Sequence, residues 1–233
     1  MKNLVILPTY NESENINKIV ETILSSIDTD VLIIDDNSPD GTGQIADSIS
    51  KSNPRISVIH RETKAGLGTA YLCGFRHALN SYYENIFTMD SDFSHNPKYL
   101  PEFEKMLLNY GLVIGSRYVK GGGILDWPLA RRLTSKLGNI YAGFITGLRI
   151  KDCTSGFAGI KSEQLKKCGF EKITSEGYCF LIELKWRLLR NNTSFVEFPI
   201  IFTDRLVGKS KISRNIIFEA VFHVWKLRFN NKL

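Results

Sequence analysis

Two carboxylates directly follow an apolar run in the stretch Ile86-Phe87-Thr88-Met89-Asp90-Ser91-Asp92. A short apolar run of this kind predicts a buried β-strand that ends at a polar edge. In an open α/β sheet, ligands bind in the crevice beyond the carboxyl ends of the strands. We therefore predict that Asp90 and Asp92 lie in such a crevice.

The Asp-x-Asp spacing suits a divalent cation. Residues two apart in an extended segment point to the same side, so both carboxylates can face one ion. Because Mg²⁺ takes few protein ligands and completes its shell with phosphate and water, the pair suits a metal shared with a diphosphate. The alternative is a solvated acidic turn leading to Pro97, with Ser94 and Asn96 as turn residues. The pattern by itself does not separate the two.

Apolar runs alternate with helical patterns through the first half of the chain. The strand-like runs cover residues 4–7, 31–34, 56–59 and 86–89. This alternation predicts an α/β fold, with a mostly parallel, Rossmann-like sheet covered by helices on both faces. Polar residues with carboxylates follow three of the runs, at 10–12, 35–36 and 90–92, so these strand ends are expected along one edge. No G-x-G-x-x-G follows the first strand, which argues against a dinucleotide site.

The composition is that of a folded globular protein, with 43% hydrophobic and 23% charged residues in a chain of 233. The four cysteines show neither zinc-site spacing nor a disulfide framework, so reduced thiols in a cytosolic protein are expected. No apolar stretch is long enough for a membrane span, and Pro8 interrupts the N-terminal run, so no signal peptide is predicted. The net charge of +6, concentrated after Arg205, favours an anionic partner: lipid, nucleic acid or a phosphorylated substrate.

Several ordered motifs resemble a known enzyme family. The first three are Leu7-Pro8-Thr9-Tyr10-Asn11-Glu12, Ile34-Asp35-Asp36-Asn37-Ser38-Pro39-Asp40-Gly41-Thr42 and Met89-Asp90-Ser91-Asp92-Phe93-Ser94-His95. They resemble the nucleotide-sugar signatures of inverting family-2 glycosyltransferases, which have the GT-A fold. Later motifs resemble those of polyprenol-phosphate mannosyltransferases, also called dolichol-phosphate mannose synthases: Gly115-Ser116-Arg117-Tyr118, Asp152-Cys153-Thr154-Ser155-Gly156-Phe157 and Gly208-Lys209-Ser210-Lys211. The resemblance runs from about residue 3 to about residue 215.

This resemblance implies that the donor is GDP-mannose and that its guanosine is held at the first two strand ends. The residues implied in this role are Pro8, Tyr10, Glu12, Ile34 and Asp36. Tyr10 would contribute its ring, and the carboxylates would accept hydrogen bonds from the base or the ribose. The alternative is that Pro8 and Tyr10 only pack against the start of the first helix.

The resemblance also implies residues for the diphosphate. Asp90 and Asp92 would carry Mg²⁺ or Mn²⁺, with Ser91 between them in the same donor site. Arg205 and Lys211 would clamp the diphosphate from a later loop. The alternative for these two cations is a solvated basic loop.

The implied acceptor is a polyprenyl (dolichyl) phosphate. A phosphate monoester has its second pKa near ~6, so it is already ionised at neutral pH and needs no general base. Arg117 and Arg131 are candidates to hold it, because a guanidinium binds phosphate bidentately, and with Asp92 they form the implied catalytic set. A single displacement would invert the anomeric centre and give a β-linked mannosyl phosphate. The alternative for Arg117 is an ion pair with a nearby carboxylate such as Asp92.

Two amphipathic segments bear on contact with a membrane. After Trp127-Pro128, the apolar residues of a predicted helix could face either the core or lipid, and the pattern leaves both open. The tail at 212–229 combines an apolar face with basic residues near its end, which predicts a helix on the membrane surface. We therefore expect a GT-A catalytic domain at residues 1–211 and an amphipathic tail at 212–233.

These inferences together predict a peripheral enzyme on the cytosolic face of a membrane, with a small membrane subunit as a further candidate partner. The nearest alternative is a polyprenyl-phosphate glucosyltransferase that uses UDP-glucose. A non-catalytic regulatory subunit is disfavoured because the acidic and basic motif residues are intact, and nucleic-acid binding because no strand interleaves aromatic and basic residues. His95 is expected to be structural, and Ser135 resembles a serine that the family can have phosphorylated.

Overall fold

The structure, a computed structural model, describes residues 2–204 and 223–229 of the chain. Its strands are β1 (Asn3–Thr9), β2 (Asp30–Asp35), β3 (Ile56–His60), β4 (Asn85–Thr88), β5 (Leu112–Ser116), β6 (Gly123–Ile124), β7 (Ala158–Lys161), β8 (Phe195–Pro199) and β9 (Ile201–Phe202). Its α-helices are α1 (Ile16–Ser26), α2 (Thr42–Ser52), α3 (Leu67–Asn80), α4 (Leu100–Leu107), α5 (Leu129–Thr146), α6 (Ser162–Lys167) and α7 (Gly177–Arg190). Short 3₁₀ turns lie at Pro97–Tyr99 and Phe170–Lys172.

A seven-stranded sheet in the order β3-β2-β1-β4-β7-β5-β8 forms the centre of the structure. All neighbouring strands in it are parallel except β7, which runs antiparallel to both β4 and β5. Strands β6 and β9 form a separate parallel pair. The mostly parallel sheet with flanking helices confirms the predicted fold class.

The antiparallel direction of β7 places the segment before it at the ligand-binding edge. Ala158, the first residue of β7, pairs with Thr88 at the end of β4 and with Ile114 in β5. Residues 152–157 therefore lie beyond the carboxyl ends of β4 and β5, beside Asp90 and Arg117.

Hydrophobic clusters cover both faces of the sheet. In β1, Leu4 and Ile6 belong to one cluster, whereas Val5 and Leu7 belong to the other. Successive side chains of a strand point to opposite faces, so a strand buried on both sides needs an unbroken apolar sequence. This explains why β1, β2 and β4 could be predicted from short apolar runs, whereas β3 lies at the sheet edge and is only partly buried.

Part of the predicted tail is described, and it packs on the domain. Residues 223–229 are helical, and Val224 and Leu227 are almost completely buried within one of the hydrophobic clusters. His223 lies 3.1 Å from Glu183 of α7. Residues 212–222 and 230–233 lie outside the described residues, so the tail as a membrane-surface element stays a prediction. Within 2–204 and 223–229, we find no helix with the length and apolar content to cross a bilayer.

The packing of α3 on the sheet generates a stability prediction. A Cβ atom added at Gly74 would lie 2.8 Å from Ile6 Cγ2 and 3.0 Å from Ile34 Cδ1, both in the core. Gly74→Ala should therefore lower the free energy of unfolding by about 1–2 kcal/mol, because overpacking outweighs the better helix propensity of alanine.

Gly138 in α5 is the matched control, because an added Cβ there meets nothing within 4 Å. Gly138→Ala should raise the free energy of unfolding by about 0.5–1 kcal/mol through helix propensity alone. Urea denaturation of both variants measures the difference. Equal stabilisation by the two substitutions would contradict the close approach of α3 to β1 and β2.

Candidate active site

A cavity of about 300 Å³ lies at the carboxyl ends of β1, β2 and β4. Nine residues implicated by the sequence motifs line it: Pro8, Tyr10, Glu12, Asp36, Asp90, Ser91, Asp92, Arg117 and Arg131. The three acidic strand ends thus meet at one edge of the sheet, as predicted. Thr154, Ser155 and Gly156 before β7 and Tyr178 and Leu181 of α7 also line the cavity.

Ile34 does not belong to this cavity. Its side chain is fully buried in the hydrophobic cluster under α3, so the expectation that it contacts the nucleotide is corrected. The reason is strand alternation, which turns Ile34 toward the helix layer. Arg205 and Lys211, the expected diphosphate clamp, lie outside the described residues.

Asp90 and Asp92 differ in exposure. The Asp90 side chain is 38% exposed, whereas Asp92 is only 4% exposed, although both line the cavity. Asp92 Oδ1 accepts the backbone N–H of Ser94 at 3.1 Å. The Ser94 hydroxyl is buried and has no hydrogen-bond partner among the described residues, although Ser94 lines the same cavity.

This set of hard oxygen donors fits a divalent cation. Within the described residues, no group of three or more His, Cys, Asp or Glu side chains is arranged to hold a metal. Two carboxylates with a neighbouring hydroxyl would leave several coordination positions for phosphate oxygens and water, as Mg²⁺ and Mn²⁺ require.

The His95 side chain contacts Asp90. The backbone N–H of Asp90 donates to His95 Nδ1 at 3.0 Å. The same nitrogen lies 3.6 Å from the Asp90 carboxylate. The buried ring also stacks on Phe157 with a centroid distance of 5.1 Å. His95 also lines the cavity, so its structural role stays a prediction.

Arg117 is held by a carboxylate that the sequence reasoning did not identify. Its Nε and Nη2 each donate to Asp152 at 2.7 Å, and its backbone N–H donates to the same carboxylate at 3.0 Å. Asp152 is fully buried and Arg117 nearly so. Burial alone would lower the pKa of Arg117, but the charge and hydrogen bonds of Asp152 outweigh it and raise that pKa. The alternative of an ion pair is thus realised with Asp152 rather than with Asp92.

A buried asparagine connects α5 to this ion pair. Asn139 Oδ1 accepts the backbone N–H of Thr154 at 3.1 Å, and its Nδ2 donates to the Thr154 hydroxyl at 3.1 Å. Thr154 Oγ1 in turn accepts from Arg117 Nη2 at 2.9 Å. Tyr118, the residue after Arg117, donates its hydroxyl to Ser135 Oγ of α5 at 2.7 Å. The α5 helix is therefore fixed to the cavity wall by polar contacts.

Arg131 lies at the cavity rim beside an aromatic side chain. Its guanidinium is 3.9 Å from the ring centroid of Trp127 and donates to Asp204 at 3.0 Å. With about 29% of its side chain exposed, Arg131 remains accessible from the cavity. Trp127 directly precedes Pro128, and α5 begins at the next residue, which confirms the predicted helix entry.

Two cations contact residues that line the cavity near the first two strand ends, Asp36 and Tyr10. Arg61, which follows β3, forms an ion pair with Asp36 and donates to the Gly66 carbonyl at 3.0 Å. Lys64 lies over the Tyr10 ring at 3.9 Å. Arg61 could have been identified from the sequence because it directly follows β3, at the same edge of the sheet as Asp36.

Known proteins resemble this chain in structure and in sequence. Crystal structures of glucosyl-3-phosphoglycerate synthase from Mycobacterium tuberculosis superpose with TM-scores of 0.67 for the complex with Mn²⁺, UDP and glucosyl-3-phosphoglycerate and 0.65 for that with Mn²⁺, UDP-glucose and phosphoglyceric acid. Both are 16% identical to this chain and cover 97% of it, and the match covers 79% and 80% of those chains respectively. At this identity the similarity concerns the fold.

Two curated relatives are much closer in sequence. Polyprenol monophosphomannose synthase of Mycolicibacterium smegmatis is 44% identical over 232 residues, which cover 97% of this chain and 88% of that protein. Undecaprenyl-phosphate mannosyltransferase of Micrococcus luteus is 40% identical over 225 residues, which cover 96% of this chain and 93% of that protein. Residues 4–169 match the family described as Glycosyl transferase family 2, and the chain belongs to that family.

Proposed function

We propose that the protein transfers mannose from GDP-mannose to the phosphate of a polyprenyl (dolichyl) phosphate with inversion, making polyprenyl-phosphate mannose. The observation that carries this proposal is one cavity that combines carboxylates with guanidinium groups. Asp90 and Asp92, which follow β4, line it together with Arg117 and Arg131. Two relatives with 44% and 40% identity, named for mannosyl transfer to polyprenyl carriers, support the same assignment.

The donor would bind beside the carboxylates. Tyr10 offers a ring for the base, while Glu12 and Asp36 offer acceptors for hydrogen bonds from the base or ribose. Pro8 and Ser91 complete this part of the wall, where the Ser91 hydroxyl lies 3.4 Å from the Pro8 carbonyl. The pairing of Asp36 with Arg61 fixes the orientation of that carboxylate before a ligand arrives.

Asp90 and Asp92 would hold Mg²⁺ or Mn²⁺ against the diphosphate. The ion supplies Lewis-acid stabilisation of the departing nucleoside diphosphate. The backbone N–H of Ser94 orients the Asp92 carboxylate for this role through a hydrogen bond. The His95 ring fixes the backbone of Asp90 by accepting its N–H. The protein thus fixes two anionic ligands at the site where the negative charge of the leaving group grows.

The acceptor phosphate would bind near Arg117 and Arg131. Its second pKa near ~6 makes it a dianion for the most part at neutral pH, so no side chain needs to remove a proton. A phosphate oxygen attacks the anomeric carbon while the bond from that carbon to the diphosphate oxygen breaks. The arginines bring the two anions together, and the single displacement yields a β-linked product from an α-linked donor.

The membrane surface is the proposed location of the acceptor, and α5 carries the features for reaching it. Five large apolar side chains on α5 are more than half exposed, at successive spacings of four, four, three and four residues: Leu129, Leu133, Leu137, Ile140 and Phe144. This spacing places them along one side of the helix, while Ala142 and Ile145 on the other side pack into the core. One face of α5 therefore packs against the core, and the exposed apolar face is the one that we assign to lipid.

Cations and aromatic side chains border this apolar stripe. A groove between α5 and the following segment is lined by Lys136, Arg149 and Lys151 together with Ile140 and Phe144. Trp225 donates to the Tyr141 hydroxyl of α5 at 2.9 Å and stacks on Phe229, and both aromatic residues are exposed. Apolar residues that insert among lipids, with basic residues toward the head groups, are typical of interfacial helices. We infer peripheral binding on the cytosolic face, with a small membrane subunit as an additional partner.

A transfer assay tests the proposed function directly. Purified protein with Mn²⁺ and polyprenyl phosphates should move label from GDP-[¹⁴C]mannose, and not from UDP-[¹⁴C]glucose, into the organic phase, and the product should be the β-anomer. If label is transferred only from UDP-glucose, then UDP-glucose rather than GDP-mannose is the donor. The absence of transfer from either donor would refute the function.

The metal assignment predicts the behaviour of Asp92→Asn. This substitution keeps the shape and the acceptor for the Ser94 N–H but removes a charge, so transfer should fall by about 100-fold or more. GDP affinity measured by calorimetry should lose its dependence on Mn²⁺, while the melting temperature stays close to that of the wild type. Glu102→Gln on α4, outside the cavity, is the control and should behave as wild type. Activity of Asp92→Asn within a few-fold of wild type would contradict the metal site.

The apolar stripe predicts the effect of Leu137→Ser combined with Phe144→Ser. Losing two membrane-buried side chains, each worth roughly 1.5–3 kcal/mol, should weaken binding to vesicles with anionic phospholipid by at least about tenfold. GDP binding should not change. Leu108→Ser removes an exposed leucine beyond the end of α4 and serves as the control. Unchanged vesicle binding in co-sedimentation would show that another surface contacts the membrane.

A further inference from the structure

A lysine lies completely inside the protein, directly behind the cavity. Lys185 of α7 is 2% exposed. Its Nζ donates to three backbone carbonyls: Ser155 at 2.7 Å, Cys153 at 3.1 Å and Leu181 at 3.3 Å. Two of these carbonyls belong to the segment before β7, and the third belongs to α7 itself. The ammonium therefore joins two separate parts of the cavity wall.

The segment held by Lys185 is the one that positions Arg117. Asp152 binds the guanidinium through both carboxylate oxygens, and Thr154 accepts a further hydrogen bond from it. Ser155 donates its hydroxyl at 2.6 Å to the carbonyl of Gly115, which lies two residues before Arg117. The carbonyls of Cys153 and Ser155 lie on either side of Thr154, so the Lys185 contacts bracket it.

The second part of the wall is α7, whose first turns supply Tyr178 and Leu181 to the cavity. Burying an ammonium group is costly unless each of its protons has an acceptor. An apolar side chain of similar length would fill the same space without that cost, but it would leave the carbonyls of Cys153 and Ser155 without this donor. The positive charge of Lys185 therefore stabilises segment 152–156 rather than the packing of α7.

We propose that Lys185 is a positioning residue for transfer, whose ammonium fixes the segment 152–156 against α7 and thereby sets the place of Arg117 in the cavity. This inference rests on the proposed function, because Arg117 is assigned there to the acceptor phosphate. It adds a requirement that the cavity residues alone do not reveal, namely that Lys185 must carry its third proton.

The charged and titratable groups around Lys185 come from three elements. Asp152 and Cys153 face it from the segment before β7, Arg117 from the end of β5, and Glu197 from β8. Burial lowers the pKa of Lys185 to about 8, and repulsion from Arg117 adds to this effect, while Asp152, Cys153 and Glu197 oppose it. A neutral amine has two protons for three carbonyls and directs a lone pair at one of them.

Activity and stability should consequently respond to alkaline pH in opposite directions. The folded-state pKa of Lys185, about 8, lies below its ordinary value of 10.5, so the unfolded chain binds more protons between these two values. The contribution of Lys185 to the free energy of unfolding therefore rises with pH in this range. Transfer should decline over the same range because the segment loses one of its three hydrogen bonds.

The experiment compares the full-length wild type with Lys185→Met and Arg187→Met. Arg187 is a matched control, because it is a buried cation of the same helix that pairs with Glu183 at 2.9 Å instead of binding segment 152–156. For each protein, kcat and the KM for GDP-mannose are measured between pH 7.5 and pH 9, together with the melting temperature.

Wild-type kcat should fall about fivefold or more from pH 7.5 to pH 9 without a matching fall in melting temperature. Lys185→Met should show a kcat about tenfold lower at pH 7.5, a KM for GDP-mannose within about threefold of wild type, and no further alkaline decline. Arg187→Met should keep the wild-type kcat and its alkaline decline. A Lys185→Met variant with wild-type kcat, or with the same alkaline decline, would overturn the proposal.

Two further outcomes are also decisive. If Lys185→Met does not fold, the pH dependence of the wild-type kcat tests the proposal by itself. A wild-type kcat that does not change from pH 7.5 to pH 9 would overturn it. If the wild type transfers no sugar at all, the proposed function fails, and amide hydrogen exchange then tests Lys185 separately. Exchange across 152–156 should be faster in Lys185→Met than in Arg187→Met, and equal rates would overturn the positioning role.

Discussion

The reversed direction of β7 within an otherwise parallel sheet is the constraint on which the site depends. Parallel strands alone would bring the chain segments that follow β1, β2 and β4 to one edge. Because β7 is antiparallel to β4 and β5, it brings a segment that precedes a strand to that same edge. Asp152 reaches Arg117 by this route, although 35 residues separate them in the chain. The contact that holds Arg117 beside the acidic strand ends therefore depends on the pairing of β7 with β4 and β5.

The acidic strand ends could be predicted from the sequence because their residues follow apolar runs that are buried on both faces. Tyr10, Asp36 and Asp90 required only the positions of three strand ends and the parallel direction of the strands. The ion pair of Arg117 could not be predicted in the same way. A guanidinium can pair with any acid within reach, and the pairing of Arg117 with Asp152 rather than with Asp92 follows from the register of β7.

Ile34 and α5 show two further limits of sequence patterns. Ile34 stands next to the acidic residues in a motif, yet strand alternation turns its side chain into the core. In α5 the apolar residues occupy more than one side of the helix, and periodicity reports amphipathicity without indicating which apolar face meets the protein. The structure separates them, because Ala142 and Ile145 are buried while Leu137 and Phe144 are exposed. Arg61 was missed for a simpler reason, since it belongs to none of the recognised motifs.

The arginines around the cavity share a feature that bears on turnover. Arg117, Arg131 and Arg61 each already have a carboxylate partner, namely Asp152, Asp204 and Asp36. A phosphate group that approaches one of these guanidinium groups meets a positive charge that is partly neutralised, so its affinity is moderated. Strong ground-state binding would not accelerate the reaction, and slow release of charged products limits many enzymes. In the proposed reaction, pre-paired arginines would orient two multiply charged substrates and still allow release of a nucleoside diphosphate and a glycolipid after each cycle.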